Sequence, residues 1–207
     1  MRGIVGSDGY VREGWAGRTR RLPLGANTEG KTLGVLGMGR IGVEVAKRAQ
    51  GFDVDVVYHD VYRREDLEES LGMRYVGLDE LLKESDIVTL HVPLIPSTRH
   101  LIGAKEFELM KESAIIVNTA RGPVINQAAL VEALKKGKIG GAALDVFEEE
   151  PLPAGDELAG LGKTVLTSHI ASATMETRWK MAEVCAVNVR AFLEGKAPPN
   201  LVPEQRK

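Results

Sequence analysis

A single cysteine, Cys185, rules out an intrachain disulfide and any metal site built from several thiolates, and so sparse a use of thiols fits a reducing, cytoplasmic compartment. Charge of one sign is also lacking: 27 Lys and Arg stand against 29 Asp and Glu, a formal net charge of −2. A surface so balanced gives no electrostatic reason to hold a phosphate backbone or an anionic membrane, so nucleic acid and lipid are excluded as expected partners. No apolar run approaches the ~18 residues of a membrane span and no basic-then-apolar leader opens the sequence, so neither a span nor a signal peptide is expected. Aromatics are only 5%, yet 43% hydrophobic and 27% charged residues are ordinary for a globular protein. At roughly 150 residues per domain, 207 residues make one large domain with appendages.

What is present is an alternation of short apolar runs with helical stretches from Thr32 to His169, the pattern of repeated βαβ units. Strands are expected at 32–36, 54–59, 87–91, 115–118, 142–146 and 165–168. Most are unbroken Val, Ile, Leu and Ala, as strands covered by helices on both faces require. The fold class is therefore α/β, a Rossmann-type doubly wound parallel sheet. Asn126 can cap a helix that Gly137 ends, and 174–194 reads as a long C-terminal helix stopped by Gly195 and Pro198-Pro199. Cys185, on the apolar face of that helix, reads as core. Residues 1–29 have no strand period, three glycines in the first nine positions, and Arg18, Arg20 and Arg21 clustered before Pro23.

The first strand runs into Gly37-Met38-Gly39-Arg40-Ile41-Gly42 and then a helical face. Gly37 permits the tight turn, Gly39 lets backbone approach a pyrophosphate, Gly42 lets helix and strand pack closely, and the helix N-terminus offers free N–H groups to an anion. Asp60, 18 residues past Gly42 at the end of the second strand, can accept from a ribose 2′-hydroxyl and should repel a 2′-phosphate. NAD is thus favoured over NADP, although Arg63 and Arg64 lie just beyond; alternatively those two pair with Glu65, Asp66, Glu68 and Glu69 at a solvated helix start.

Arg121, Glu150 and His169 each fall at or past a strand's carboxyl end, where open α/β sheets place ligands. Arg121 could grip a carboxylate bidentately. His169 could exchange a proton as hydroxyl and carbonyl interconvert, and Glu150, held by Pro151, could orient the imidazole. Taken singly, each also reads as a surface or structural residue. His59, His91 and His100 read as strand-end or loop residues rather than catalytic ones.

His91-Val92-Pro93-Leu94, Asn118-Thr119-Ala120-Arg121-Gly122, Ala143 to Phe147 leading to Glu150-Pro151-Leu152-Pro153, and Ser168 to Thr174 occur in one order and spacing that resembles the D-isomer-specific 2-hydroxyacid dehydrogenases. That family includes glyoxylate and hydroxypyruvate reductases, D-lactate dehydrogenases and 3-phosphoglycerate dehydrogenases. The resemblance implies that Arg121 binds and polarises a 2-oxo acid, His169 is the general acid/base and Glu150 its partner. It implies that Asp145 meets the nicotinamide carboxamide. His91, Val92, Pro93, Thr119 and Ala120 would line the cofactor cleft, Thr98 would lie beside the cofactor, and Arg40 and Ile41 would complete the phosphate loop. Glu150 speaks against formate, since formate dehydrogenases of the family carry glutamine there.

The family joins a substrate domain, built from its first ~100 residues and the C-terminal tail, to the cofactor domain. By this resemblance 1–29 is a remnant of the connection and dimerisation segment, 30–185 the NAD-binding domain and 186–207 the end of the helix and a tail toward a missing domain. A homodimer acting on a small 2-oxo or 2-hydroxy acid is expected, with an incomplete substrate pocket. Two other readings stand beside it: a dinucleotide-sensing, dimerising protein like the C-terminal-binding-protein corepressors of the family, and an inactive fragment.

Overall fold

A computed structural model describes residues 3–15 and 24–202, so Arg18, Arg20, Arg21 and Pro23 lie outside the described residues. The elements are α1 (Ile4–Arg12), β1 (Thr32–Leu36), α2 (Arg40–Ala49), β2 (Asp55–His59), α3 (Glu65–Leu71), β3 (Arg74–Tyr75), α4 (Leu78–Glu84), β4 (Ile87–Leu90), α5 (Ala104–Leu109), β5 (Ile115–Asn118), α6 (Gln127–Lys135), β6 (Gly141–Leu144), α7 (Glu157–Gly160), β7 (Thr164–Leu166) and α8 (Met175–Leu193). They fall into two compact units, Met1–Ser168 and His169–Lys207.

In the first unit the strands order as β3-β2-β1-β4-β5-β6-β7, every pairing parallel. The order runs outward in both directions from β1 and β4, so the crevice where their two crossovers part is the place a ligand enters. Alternate residues of β1 supply the two faces. Leu33 and Val35 join Ala46 and Ala49 of α2, Val56 and Tyr58 of β2 and Leu67 of α3. Leu36 joins Val57, Val88 and Leu90 with Leu81 and Leu82 of α4, Phe107 of α5 and Leu130 of α6. Helices therefore cover both faces, the doubly wound arrangement expected. Gly34 allows the second covering: a β-carbon there would lie 2.8 Å from Leu81 Cδ2.

Three sequence expectations are corrected. β3 was not foreseen, because two residues carry no period; it exists by pairing Arg74 and Tyr75 with Val57 and Tyr58. β7 is not covered on both faces: Val165 is 44% exposed, as suits a strand with only β6 as neighbour. In the second unit Cys185 is exposed and α8 has no buried residue. Helical spacing tells which residues share a face, not whether anything covers it. The expected cap holds: Asn126 accepts from Ala129 N–H at 2.9 Å and starts α6.

Among the described residues no helix is long and apolar enough to cross a membrane. Leu81 has no exposed surface and bridges β1 to the larger core. Leu81→Ala is predicted to cost ~2–5 kcal/mol by transfer and cavity terms, read as a lowered urea midpoint with unchanged slope.

Candidate active site

The crevice is built from backbone first. β1 ends at Gly37, which turns with φ 96°, and a β-carbon there would lie 2.8 Å from both His91 C and Val92 N. Gly42 opens α2 against this turn, its missing β-carbon falling on the Gly37 carbonyl oxygen. Gly37 N–H donates to His59 O at 2.9 Å and His91 N–H to Leu36 O at 2.7 Å, so the ends of β2, β1 and β4 meet at one point.

Gly39 caps α2 without any side-chain hydrogen bond, and a β-carbon on it would meet nothing within 4 Å. The space before the first-turn N–H groups of Arg40, Ile41 and Gly42 is thus open at Gly39, and it suits a pyrophosphate. Asp60 stands beside it: its Oδ2 accepts from Met38 N–H at 2.6 Å and its Oδ1 from Tyr62 N–H at 3.3 Å. The carboxylate is fixed on the glycine loop with lone pairs to spare for ribose hydroxyls. These residues fit a dinucleotide.

Past β4, burial holds His91 below the usual imidazole pKa and favours its neutral ring, whose Nε2 lies 3.0 Å from Thr89 Oγ1. Thr98 closes the following loop, donating to Pro93 O at 2.6 Å and accepting from Ile95 N–H at 2.9 Å. Val92 and Pro93 lie on that loop, beside Gly37.

Past β5, buried Asn118 ties the Arg121 turn at both ends: Nδ2 donates to Arg121 O and Oδ1 accepts from Ala120 N–H, each at 3.0 Å. Thr119, Ala120 and Arg121 ride on this turn. Arg121 is exposed; Nη1 donates to Ala120 O at 2.7 Å, leaving the rest of the fork for an anion. Gly122 presses on the next loop, its missing β-carbon overlapping Phe147 O.

Past β6, Asp145 is 5% exposed, accepts from Thr167 Oγ1 at 2.6 Å and donates its N–H to Asn118 O at 3.0 Å. Glu150 Oε1 accepts from Phe147 N–H at 3.0 Å, folding the carboxylate back over its own loop. The loops after β1, β2, β4, β5 and β6 therefore assemble the foreseen glycines, Asp60, Arg121, Asp145 and Glu150 along one edge of the first unit. His169 opens the second unit in the left-handed region, φ 55°.

Residues 1–171 match the family described as D-isomer specific 2-hydroxyacid dehydrogenase, NAD binding domain. The chain belongs to this family. A glyoxylate reductase of Korarchaeum cryptofilum is 52% identical over 99% of the chain. A glyoxylate reductase structure from Paecilomyes thermophila superposes with TM-score 0.88 at 42% identity, over 96% of the chain and 60% of its own. A Lactobacillus jensenii D-lactate dehydrogenase solved with NAD+ gives TM-score 0.85 at 32% identity, over 97% and 64%. The chain spans 62% of the length of the Korarchaeum relative.

Two sets of side-chain contacts escaped the sequence reading. Asn118 was quoted only as part of a motif; its signal was a lone amide ending an apolar strand. His100, in left-handed conformation with φ 53°, pairs with Glu148 at 2.7 Å, while Gln127 N–H donates to Glu148 and Glu148 N–H to Gln127, each at 3.2 Å. Nothing in the spacing of those residues announces that contact.

Tyr58 and Arg63 together hold the Glu68 carboxyl well below the usual range, at about 2, with the Arg63 hydrogen bonds the larger cause. A depressed carboxyl contributes stability above its unfolded pKa of ~4.3 and loses it as pH falls toward the folded value. Acid titration of urea stability should therefore fall less steeply between about pH 5 and 2 in Glu68→Gln than in the native protein; parallel curves would contradict the assignment.

Proposed function

We propose that the chain is the cofactor-binding part of a cytoplasmic, NAD(H)-dependent dehydrogenase that interconverts a D-2-hydroxy acid and its 2-oxo acid, with glyoxylate as the leading substrate. The observation that carries this reading is Arg121: an exposed guanidinium on a turn locked by Asn118, packed through Gly122 against the loop that holds Glu150. The names of the relatives support glyoxylate in particular.

In this reading the glycine loop and the α2 N-terminus hold the pyrophosphate, Asp60 takes the adenosine ribose, and Asp145 orients the carboxamide. A bound nicotinamide supplies the hydride in reduction and receives it in oxidation. Arg121 binds the substrate carboxylate as a fork and polarises the neighbouring carbonyl. His169 delivers a proton to the carbonyl oxygen during reduction and removes it in the reverse direction. Glu150 is the proposed orienting partner of that imidazole. NAD is favoured over NADP because the Asp60 carboxylate would repel a 2′-phosphate brought to the ribose it is proposed to hold. The protein acts as a homodimer, to which the apolar face of α1, with Ile4, Val5 and Val11 exposed, contributes surface.

Joined to a relative's substrate domain, the chain should oxidise NADH in dependence on added glyoxylate, followed by loss of the reduced nicotinamide absorbance, whereas rates like those of an intact enzyme from the 207 residues alone would overturn the expectation of an incomplete pocket; the variants below are made in the joined protein. His169→Ala is predicted to lower kcat by ~10²–10⁴-fold while NADH affinity, read by fluorescence, stays within about threefold. Collapse of NADH affinity would remove His169 from the proton-transfer role. Arg121→Gln should raise KM for the oxo acid and lower kcat/KM by at least ~10²-fold; an unchanged ratio would leave the carboxylate without its proposed partner.

A further inference from the structure

The loop between β2 and α3 carries two cations just past Asp60, the neighbourhood in which an arginine would meet the 2′-phosphate of a phosphorylated dinucleotide. Both are engaged inside the chain, and differently. Arg64 pairs with Asp66 at 2.9 and 2.8 Å, two largely exposed groups whose acid is otherwise held by backbone N–H groups of the first turn of α3, a pairing that contributes little. Arg63 makes a two-pronged pair with Glu68, Nε to Oε1 at 2.9 Å and Nη2 to Oε2 at 2.7 Å. Its guanidinium also lies 5.9 Å from the centre of the Tyr75 ring, and Glu65 approaches Nε to 3.9 Å.

Glu68 is itself anchored. The Tyr58 hydroxyl, on a side chain with no exposed surface, donates to Glu68 Oε1 at 2.7 Å and accepts from Arg64 N–H at 2.7 Å. Glu68 is only 17% exposed against 55% for Arg63, so the acid is the fixed end of the pair and the arginine the movable one. With its carboxyl held at about 2, Glu68 stays ionised at any working pH and titration does not release Arg63. Tyr75, the platform under Arg63, donates through its hydroxyl to Asp60 O at 3.3 Å, which ties the clamp to the residue that faces the ribose.

We propose that Glu68, held by Tyr58, is a specificity-determining residue: it keeps Arg63 from serving a 2′-phosphate and so reinforces the exclusion of NADP(H) that Asp60 begins. This rests on the dinucleotide reading above and deepens it. Asp60 supplies repulsion, and Glu68 withdraws the one nearby cation with a buried support that could have offset it.

The test is binding rather than turnover: dissociation constants for NADH and NADPH, by nicotinamide fluorescence, in the native protein and in variants whose melting by circular dichroism shows them folded. Asp60→Ala should narrow the preference for NADH. Adding Glu68→Gln should tighten NADPH by about a further tenfold, the scale of one charge-assisted pair, and adding Arg63→Gln to that double variant should erase the gain. Should Glu68→Gln fail to fold, Arg63→Gln in the Asp60→Ala background decides alone: with the clamp intact it should change NADPH affinity less than about twofold. The proposal is overturned if Glu68→Gln leaves the NADPH to NADH ratio unchanged, if its gain survives Arg63→Gln, or if Arg63→Gln weakens NADPH while Glu68 is in place. Native protein that binds NADH while any of these occurs loses only this inference; native protein that binds neither dinucleotide loses the underlying reading as well.

Discussion

At Gly37 the chain must turn with positive φ while the backbone of His91 and Val92 occupies the space a side chain would need. Most of the crevice depends on that contact. Because β1 lies between β2 and β4, its turn is where the two crossovers separate, and the hydrogen bonds from Gly37 N–H to His59 O and from His91 N–H to Leu36 O fasten both neighbours to it. Gly42 then sets α2 directly on the Gly37 carbonyl, so the helix begins at the crevice rather than beyond it. A side chain at either glycine would separate backbone from backbone. Rotation of a neighbouring side chain could not relieve that, which is why the constraint acts on the whole edge.

The other half of the edge repeats the device with different parts. Gly122 takes the Phe147 carbonyl where a β-carbon would be, and Asn118 satisfies both a carbonyl and an N–H of the turn between them. A buried amide is costly unless its groups are paired, so full satisfaction makes Asn118 a rigid post and not a liability. Arg121 is thereby mobile only beyond its backbone. Such a residue loses little freedom when it takes hold of an anion, since the turn that carries it is already ordered.

The parts of this arrangement that were legible in the sequence are those that local physics dictates. Six of the seven strands are short apolar runs, the glycine spacing and the Asn126 cap each express a requirement of the local backbone, and Asp60 stood out by its place at the end of the second strand. β3 was invisible because Arg74 and Tyr75 are a strand only by virtue of β2. The His100 to Glu148 pair joins residues 48 apart whose types are common on surfaces, and no period or cap links them. Cys185 shows the converse failure: the helical period was real, but burial is a property of what lies opposite, which α8 does not encode. Where these residues stand along the chain was therefore easier to read than the contacts that hold them.

Those contacts explain a choice of chemistry at Asp60 that cofactor binding alone does not. Two backbone N–H groups, of Met38 and Tyr62, reach this side chain, and they reach different oxygens. An asparagine has one acceptor oxygen and would turn an NH₂ toward one of the two amides, leaving a donor facing a donor. Only a carboxylate satisfies both and still has lone pairs to offer outward. Its negative charge is then a consequence of holding the loop, and any phosphate brought to the outward side must meet it. Loop geometry and the charge at this edge are set at Asp60 by the same two oxygens, so a substitution that changes one changes the other.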